Sequence, residues 1–178
     1  MKADHYYGQT AKDYEAKRQG ITWQLENEFV IAGLSGVKSV LDCPVGTGRF
    51  LPFYQERKIK CVGVDVSQDM LAQAAKKDYG KLVKGSVFDL KRKAEMGVCF
   101  RLFQWLTIDE CKQAIKAFDR CVDRIMLSVQ IGKPKAGGTI VHPESWYKLI
   151  DHWTITRTAS EPSRYGEYVM LECEVKNG

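Results

Sequence analysis

The residues best suited to bind a ligand lie in one short segment, Val40–Phe50, with the sequence VLDCPVGTGRF. An apolar run ends in Asp42, a tight turn with Gly46 and Gly48 follows, and a helix is predicted to begin after it. Glycine lets the backbone bend sharply and approach a ligand closely, since it has no Cβ. The amino terminus of the next helix offers unpaired N–H groups to a carboxylate or phosphate. The segment therefore predicts a ligand-binding turn between a strand and a helix.

A second acid, Asp65, ends the next apolar run and lies 23 residues after Asp42. An acid at the tip of a second strand suits bidentate hydrogen bonding to the 2′ and 3′ hydroxyls of a ribose. The structural alternative is that Asp65 caps the following helix, but Ser67 is better placed for that role because serine is a preferred N-cap. The pattern thus favours a ligand that contains a ribose.

The glycine-rich turn differs from the dinucleotide fingerprint G-x-G-x-x-G. Arg49, Phe50 and Leu51 follow Gly48, so the third glycine is missing. Asp42 before the turn would repel a pyrophosphate and attract a cationic ligand with an amino group. A nicotinamide-dependent oxidoreductase is therefore retained only as an alternative.

Alternating apolar and helical segments must position the turn and Asp65. Strands are predicted at Val37–Asp42, Lys60–Asp65, Lys81–Lys84, Met96–Arg101 and Asp123–Gln130. Helices are predicted at Tyr6–Arg18, Thr22–Leu34, Arg49–Glu56, Ser67–Lys77, Thr107–Phe118 and Pro143–Asp151. This alternation, with near-continuous apolar strands, is typical of βαβ units on a parallel sheet. The last two runs, Trp153–Ala159 and Tyr168–Val175, predict an antiparallel hairpin.

VLDCPVGTGRF resembles motif I of class I S-adenosylmethionine-dependent methyltransferases, roughly V-L-D-x-G-x-G-T-G. VGVDVSQDML resembles the second motif of this family, Val83–Leu90 the third and Val98–Leu106 the fourth. The resemblance extends over nearly the whole chain. It implies a Rossmann-like three-layer αβα sandwich with a mostly parallel seven-stranded sheet and a C-terminal antiparallel hairpin. Residues 1–178 would form a single domain, in which residues 1–35 are an N-terminal helical lid segment.

The resemblance also implies a methyltransferase that uses S-adenosyl-L-methionine, releases S-adenosyl-L-homocysteine and acts on a small-molecule acceptor. The residues that it implies for cofactor binding are Tyr14, Arg18, Asp42, Cys43, Pro44, Val45, Gly46, Thr47, Gly48, Asp65, Val66, Met70, Ser86, Val87, Phe88 and Phe100. Asp65 would hold the ribose, and Asp42 and Gly46 would lie near the methionine amino group. Tyr14 and Arg18 would close over the methionine carboxylate.

Two positions depart from the family pattern. Pro44 stands where the family usually has its first motif glycine, and proline has no N–H to offer a ligand. Ser86 stands where the family often has an aspartate on the adenine amino group, so Ser86 or the backbone around Val87 would replace that contact. Met70 and Val66 would pack on the adenine, although Met70 fits helix core packing equally well.

Substrate-side residues are expected near the carboxyl ends of the strands, where ligands bind in such sheets. The catalytic candidates are Tyr7, Arg101 and His142, and the substrate-binding candidates are Tyr6, Trp23, Gln104 and Trp105. The tryptophans also suit core or lid packing, and His142 also suits a turn before Pro143. Methyl transfer depends chiefly on orientation, so the lack of an obvious catalytic dyad does not count against it.

Composition restricts the remaining classes of function. The net charge of +5 is scattered over 178 residues, which disfavours a nucleic-acid partner, and no cysteine–histidine spacing predicts a metal site. No apolar run approaches the roughly 20 residues of a membrane helix. No secretory signal is present, so a cytoplasmic location is predicted. The six cysteines are expected to be buried thiols.

Several alternatives remain at this stage. A protein of the same fold that binds S-adenosylmethionine without methyl transfer, as a sensor or by degrading the cofactor, is kept open by Pro44. A nucleic-acid methyltransferase is disfavoured, because the motif that holds a flipped base is absent after the fourth strand. A second subunit that completes the pocket, as in a homodimer, is also open.

Overall fold

The computed structural model describes residues 20–132, 141–163 and 166–175. Its seven strands form one sheet: β1 Ser39–Asp42, β2 Lys60–Asp65, β3 Lys81–Lys84, β4 Ala94–Cys99, β5 Val122–Ile131, β6 Thr154–Ser163 and β7 Gly166–Glu174. The strand order is β3-β2-β1-β4-β5-β7-β6. The first five strands pair in parallel, and β7 pairs antiparallel with both β5 and β6. The predicted mostly parallel sheet with a C-terminal hairpin is therefore confirmed.

Helices cover both faces of this sheet. The α-helices are α1 Ile21–Gly33, α2 Leu51–Glu56, α3 Gln68–Ala74 and α4 Ile108–Asp119, and a longer 3₁₀ segment spans Glu144–Ile150. Side chains of α1, α2 and α3 form one buried apolar cluster, which includes Val30, Tyr54 and Leu71. Side chains of α4 and the 3₁₀ segment form the other, which includes Phe118 and Trp146. Two cores on opposite faces produce the three-layer arrangement.

Two of the described helices, α3 and α4, begin at capping residues that the sequence provides. The Ser67 hydroxyl accepts a hydrogen bond from the Met70 N–H at 3.3 Å and caps α3. Thr107 and Glu110 form a complete capping box at the start of α4. Such caps satisfy N–H groups that the first helical turn leaves unpaired. The predicted Ser67 cap is confirmed.

Two predicted boundaries and one predicted helix type differ from the structure for local reasons. The helix after the glycine-rich turn begins at Leu51 rather than Arg49, because Gly46 and Gly48 adopt φ angles of 56° and 77° and keep the chain in turns. Strand β4 ends before Arg101, whose φ of 60° is incompatible with a strand. The segment predicted as a helix at Pro143–Asp151 is 3₁₀ instead.

The sheet order reverses direction between β1 and β4. From β1 the chain proceeds through β2 to β3 at one edge, then returns to add β4 on the other side of β1. Loops that leave β1 and β4 therefore diverge and open a crevice at their carboxyl ends, the usual ligand position in open α/β sheets. Among the described helices, none is long and apolar enough to cross a membrane. The single-domain assignment with a lid over residues 1–35 stays a prediction.

Candidate functional site

A pocket opens at this reversal point of the sheet. Its walls come from the turn after β1, the end of β2, the start of α3, the segment after β4 and one side chain of α1. The lining residues are Trp23, Pro44, Val45, Gly46, Thr47, Arg49, Phe50, Asp65, Val66, Met70, Phe100, Arg101, Leu102 and Trp105. Most of this wall is apolar, with three ionisable side chains among the described lining residues. Such a pocket, with a few polar groups that orient a ligand, is typical of a small-molecule site.

The turn after β1 is held in place by Asp65. One carboxylate oxygen of Asp65 accepts the Gly46 N–H at 2.9 Å, and the other accepts the Ser67 N–H at 2.9 Å. The Val45 N–H donates to the Val64 carbonyl at 2.9 Å and joins the turn to β2. Asp65 thus fixes the turn on one side and the start of α3 on the other. Asp65 therefore contacts the residue that caps α3, in partial agreement with the capping alternative. Its role in binding a ribose stays a prediction.

An open space lies in front of Gly46. A Cβ built on Gly46 would meet no atom of the described residues within 4 Å, and the residue lines the pocket. The neighbouring wall of Val66, Met70 and Phe100 is apolar and suits a flat ring. An acid at the end of β2, an uncrowded glycine turn and an apolar wall together fit an adenosyl ligand. Pro44 takes part in the wall without an N–H.

Asp42 lies beneath this turn and does not line the pocket. The Tyr54 hydroxyl donates to the Asp42 carboxyl group at 3.0 Å, and both side chains are buried. Burial raises the pKa of Asp42 to about 7, although the Tyr54 hydrogen bond and the Arg49 charge oppose the shift. Asp42 is therefore a carboxyl group whose charge in the folded protein changes near neutral pH.

Two arginines on the pocket wall meet a buried carboxylate from α1. Glu26 accepts Arg49 Nη1 at 2.6 Å and Arg101 Nε at 2.8 Å. It also accepts a short hydrogen bond from the Tyr168 hydroxyl. Burial by itself would raise the pKa of Glu26, but the two guanidinium groups and the hydrogen bonds hold it below its usual value. Glu26 is therefore an ionised group that joins α1, the turn, the end of β4 and β7.

Sequence reasoning missed Glu26, Arg49 and Tyr168. Arg49 follows the second turn glycine directly, and this adjacency was the one signal that could have placed it in the site. Glu26 and Tyr168 lie in unremarkable helical and strand patterns, and only the packing of α1 against β7 brings them together.

The structure brings many of the predicted residues together on one wall. Those that line the pocket are Trp23, Pro44, Val45, Gly46, Thr47, Asp65, Val66, Met70, Phe100, Arg101 and Trp105. Those that lie within the described residues but do not line the pocket are Asp42, Cys43, Gly48, Ser86, Val87, Phe88, Gln104 and His142. Tyr6, Tyr7, Tyr14 and Arg18 lie outside the described residues, so their roles stay predictions.

The segment after β3 contributes no side chain to the described pocket wall. Ser86 caps a short 3₁₀ turn, where its hydroxyl accepts the Phe88 N–H at 3.3 Å, and Val87 is buried in the core. The Ser86 hydroxyl is thus engaged locally. Its suggested role in place of an adenine-binding aspartate requires that the ligand extend beyond the described wall.

His142 is not at the pocket. Its side chain is buried, and Nε2 lies 2.9 Å from the Phe103 carbonyl and 3.7 Å from Cys111 Sγ. Burial lowers the pKa of His142, so a neutral ring is favoured. His142 directly precedes Pro143, as the turn interpretation expects, and its ring also packs against Trp146 in the core. The His142 ring is buried and does not line the described pocket, so it cannot reach a ligand there without disrupting this packing.

No group of three or more His, Cys, Asp or Glu side chains within the described ranges is arranged to hold a metal ion.

Part of the chain is similar to a known family, and its fold is similar to that of solved methyltransferase structures. A family model described as a methyltransferase domain matches residues 40–124. No curated protein matches the sequence. The crystal structure of magnesium protoporphyrin IX methyltransferase from Synechocystis PCC 6803 with bound SAH (S-adenosylhomocysteine) has a TM-score of 0.81 at 18% identity, over 97% of each chain. An S-adenosylmethionine-dependent methyltransferase from Clostridium acetobutylicum ATCC 824 has a TM-score of 0.73 at 13% identity, over 98% of each chain. At this identity, the structural likeness establishes a shared fold.

Proposed function

We propose that this chain transfers the methyl group of S-adenosylmethionine to a small-molecule acceptor. Its residues 40–124 match a methyltransferase domain, and it has the class I fold. The resemblance found in the sequence is confirmed by that match. The single observation that supports the activity best is the coupling of Asp65 to the Gly46 turn at the pocket wall. A carboxylate at the end of the second strand and an open glycine turn at the end of the first are the two features a nucleoside ligand needs here.

We assign the residues of the proposed cofactor site to three parts. Asp65 would hold the ribose hydroxyls, Val66 and Met70 would pack against the adenine, and the turn through Gly46 and Thr47 would receive the methionine end. Tyr14 and Arg18 remain proposed partners of the methionine carboxylate. Bound S-adenosylmethionine supplies an electrophilic methyl group on a sulfonium centre, and the protein orients it and excludes water.

On the acceptor side, the proposal rests on further side chains of the pocket wall. Trp23 and Trp105 provide flat apolar surfaces, and Arg101 provides a positive charge. Tyr6, Tyr7 and Gln104 remain proposed contributors. A transfer consists of bond formation from the acceptor atom to the methyl carbon while the carbon–sulfur bond breaks and its electron pair stays on sulfur. The residues need only hold the acceptor in line with that bond.

Calorimetric titration with S-adenosylmethionine, S-adenosylhomocysteine and NAD tests the cofactor. We expect the two adenosyl ligands to bind and NAD to bind weakly or not at all. Asp65→Ala should weaken S-adenosylhomocysteine binding by at least about tenfold, because it removes the ribose acceptor and releases the Gly46 turn. Asp69→Ala, which removes an exposed carboxylate in the first turn of α3, is the matched control and should bind normally. Preference for NAD, or no adenosyl binding, would show that the turn serves another ligand.

Methyl transfer itself is tested with S-adenosylmethionine that carries a deuterated methyl group. The protein is incubated with this cofactor and a mixed small-molecule extract, and products are followed by mass spectrometry. A labelled product that is absent with Asp65→Ala would support transferase activity. Cofactor binding without any labelled product, or with cleavage of the cofactor alone, would favour the sensor or cofactor-degrading alternative.

A further inference from the structure

One side chain of α1 joins the two sides of the crevice at which the pocket opens. One oxygen of Glu26 accepts Arg49 Nη1 at 2.6 Å, and the other accepts Arg101 Nε at 2.8 Å. Arg49 belongs to the segment that leaves β1, and Arg101 belongs to the segment that leaves β4. These strands are neighbours in the sheet. A single carboxylate therefore holds together two segments that diverge from adjacent strands.

The turn proposed to receive the methionine end of the cofactor is held from both sides. Near its start, the Gly46 N–H donates to the Asp65 carboxylate at 2.9 Å. Directly after its second glycine, Arg49 donates to Glu26. Asp65 thereby fixes the turn to the end of β2, and Glu26 fixes it to α1. The backbone between these two contacts depends on both carboxylates.

Glu26 also fixes the surroundings of an aromatic ring in the pocket wall. Trp23 lies three residues before Glu26 on α1, so the two side chains lie on the same face of the helix. The guanidinium carbon of Arg49 lies 4.0 Å from the ring centre of Trp23, and that of Arg101 lies 5.6 Å from it. A change at Glu26 is therefore transmitted to the Trp23 ring by the arginines that it holds.

Attachment of α1 does not by itself explain a buried acid at this position. The Glu26 side chain is 0% exposed, and burial of a carboxylate has a desolvation cost that ion pairs only offset. Well-packed apolar side chains often replace such a group without loss of stability. The helix also has a second anchor, because Arg157 of β6 donates to the Phe29 carbonyl at 2.8 Å and lies 3.9 Å from the centre of the Phe29 ring.

We propose that Glu26 is a positioning residue of the cofactor site, which holds the turn before Arg49 in the form that binds the methionine end of S-adenosylmethionine. The inference rests on the proposed function. Glu26 is not among the described residues that line the pocket, so it acts through Arg49 and Arg101. The adenine end would lie against Val66 and Met70, which follow β2 and lie in α3 rather than in the segments that Glu26 joins.

The test compares two ligands that share the thioadenosine portion and differ in the amino acid portion. S-adenosylhomocysteine has the methionine end, and 5′-methylthioadenosine lacks it. In calorimetric titrations of the full chain, Glu26→Gln should weaken S-adenosylhomocysteine binding about tenfold and 5′-methylthioadenosine binding less than about twofold. A mere loss of folded protein would lower both apparent affinities by the same factor.

Two control variants separate this role from stability. Glu28→Gln changes an exposed glutamate two residues later on the same helix and should bind both ligands as wild type does. Arg157→Met removes the second anchor of α1. It should lower the urea concentration at the unfolding midpoint but leave the ratio of the two affinities unchanged.

A double-mutant cycle tests whether Glu26 acts through its partner. Arg49→Met should also weaken S-adenosylhomocysteine binding selectively. The double variant should lose clearly less affinity than the product of the two single losses, because both changes remove the same contact. Glu26→Asp keeps the charge but is one methylene group shorter, so it cannot reach both arginines. It should show the same selective loss, and it supplies the measurement if Glu26→Gln does not fold.

A spectroscopic measurement reports on the pocket wall directly. After incorporation of 5-fluorotryptophan, the ¹⁹F resonance of Trp23 is assigned with Trp23→Phe. In Glu26→Gln this resonance should shift or broaden. The resonances of Trp146 and Trp153, which lie in the core that contains α4, should stay in place. A general loosening of the fold would move all of them.

Four outcomes would overturn the assignment. They are unchanged S-adenosylhomocysteine affinity in both Glu26 variants, equal weakening of the two ligands, single losses that multiply in the double variant, and a Trp23 resonance that does not respond to Glu26→Gln. Failure of the wild-type protein to bind S-adenosylhomocysteine would instead refute the proposed function itself.

Discussion

Glu26 and Asp42 are both buried acids next to the pocket, but their surroundings act on their charges in opposite directions. Glu26 contacts two guanidinium groups, which keep its pKa below the usual value despite burial. Asp42 has a phenol as its hydrogen-bond partner, and burial raises its pKa to about 7. The difference is that two guanidinium groups contact Glu26 directly, whereas the weaker effects of Tyr54 and Arg49 on Asp42 do not offset its burial.

The raised pKa of Asp42 predicts a pH-dependent stability. Between its ordinary value of 3.8 and about 7 the folded protein holds a proton that the unfolded chain releases. The contribution to stability is full below the lower value and is lost as the pH rises towards the upper one, at up to roughly 1.4 kcal/mol per pH unit. Urea unfolding of the ligand-free protein at about pH 5 and about pH 8 measures this loss. Asp42→Asn should remove that part of the pH dependence.

The exposed residue Asp69 supplies the control for this experiment, because Asp69→Asn should leave the pH dependence of wild type unchanged. If wild type and Asp42→Asn differ in unfolding free energy by the same amount at both pH values, Asp42 does not take up a proton on folding.

The position of a site residue was predictable from sequence where residues close to it along the chain determine that position. Gly46 and Asp65 were identified because a turn after one strand and an acid after the next imply their proximity. Glu26 was not, since its partners Arg101 and Tyr168 lie 75 and 142 residues away and nothing local marks an acid as buried. His142 was misplaced for the same reason, because its burial against Phe103 depends on long-range packing.

At the scale of elements, the turn between β1 and α2 does two separable tasks. Gly48 packs the turn against α2 and α3, since a Cβ there would lie 2.6 Å from Leu51 Cδ1 and 3.0 Å from Ala74 Cβ. Gly46, two residues earlier, has open space at the same position. Both have positive φ angles, so the two glycines differ mainly in what surrounds them. One supports the fold and the other faces the pocket.

Alanine substitutions should separate these tasks. Gly48→Ala should lower the unfolding free energy by about 3 kcal/mol, from left-handed strain plus overpacking against α2 and α3. Gly46→Ala should cost only about 1 kcal/mol from strain, but should weaken S-adenosylhomocysteine binding because the added methyl group enters pocket space. Chemical denaturation and calorimetric titration of the two variants provide the comparison. Equal stability losses, or unaltered binding to Gly46→Ala, would show that the tasks are not divided in this way.

Element boundaries were predictable to different degrees. Strands β2 and β3 have the predicted bounds, because each is a short apolar run between clear turn residues. The end of β4 was misjudged, since the apolar pattern continues through Phe100 and only the left-handed conformation of Arg101 stops the strand. Strands β6 and β7 are longer than predicted, because mutual pairing extends them over polar residues that have weak strand preference.

At the scale of the whole molecule, the two apolar cores lie on opposite faces of one sheet and share its central strands. Leu41 and Val40 of β1 belong to different cores, as do Ile125 and Met126 of β5. Opening one face therefore disturbs the other, which favours a single cooperative transition. Strands that are buried on both faces have near-continuous apolar sequences, and the sequence of this chain showed such strands.

The reactivity of the cysteines provides a measure of whether the two cores unfold together. All six are free and buried, and burial raises the pKa of Cys111 to about 11 and that of Cys173 to about 12. Very little reactive thiolate is therefore present in the folded state. Modification by a thiol reagent should require opening of the structure, so native protein should react slowly at all six positions and denatured protein rapidly.

S-adenosylhomocysteine should slow this modification throughout the molecule. At about 100 times its dissociation constant a ligand adds about 2.7 kcal/mol to the folded state, which reduces the open population about a hundredfold. If opening is cooperative, Cys43 beside the pocket turn and Cys121 after α4 should be protected to the same extent, as measured by peptide mapping over time. Protection of Cys43 alone would instead indicate local opening at the pocket, because ligand binding would then stabilise the crevice between β1 and β4 without stabilising the segment that follows α4.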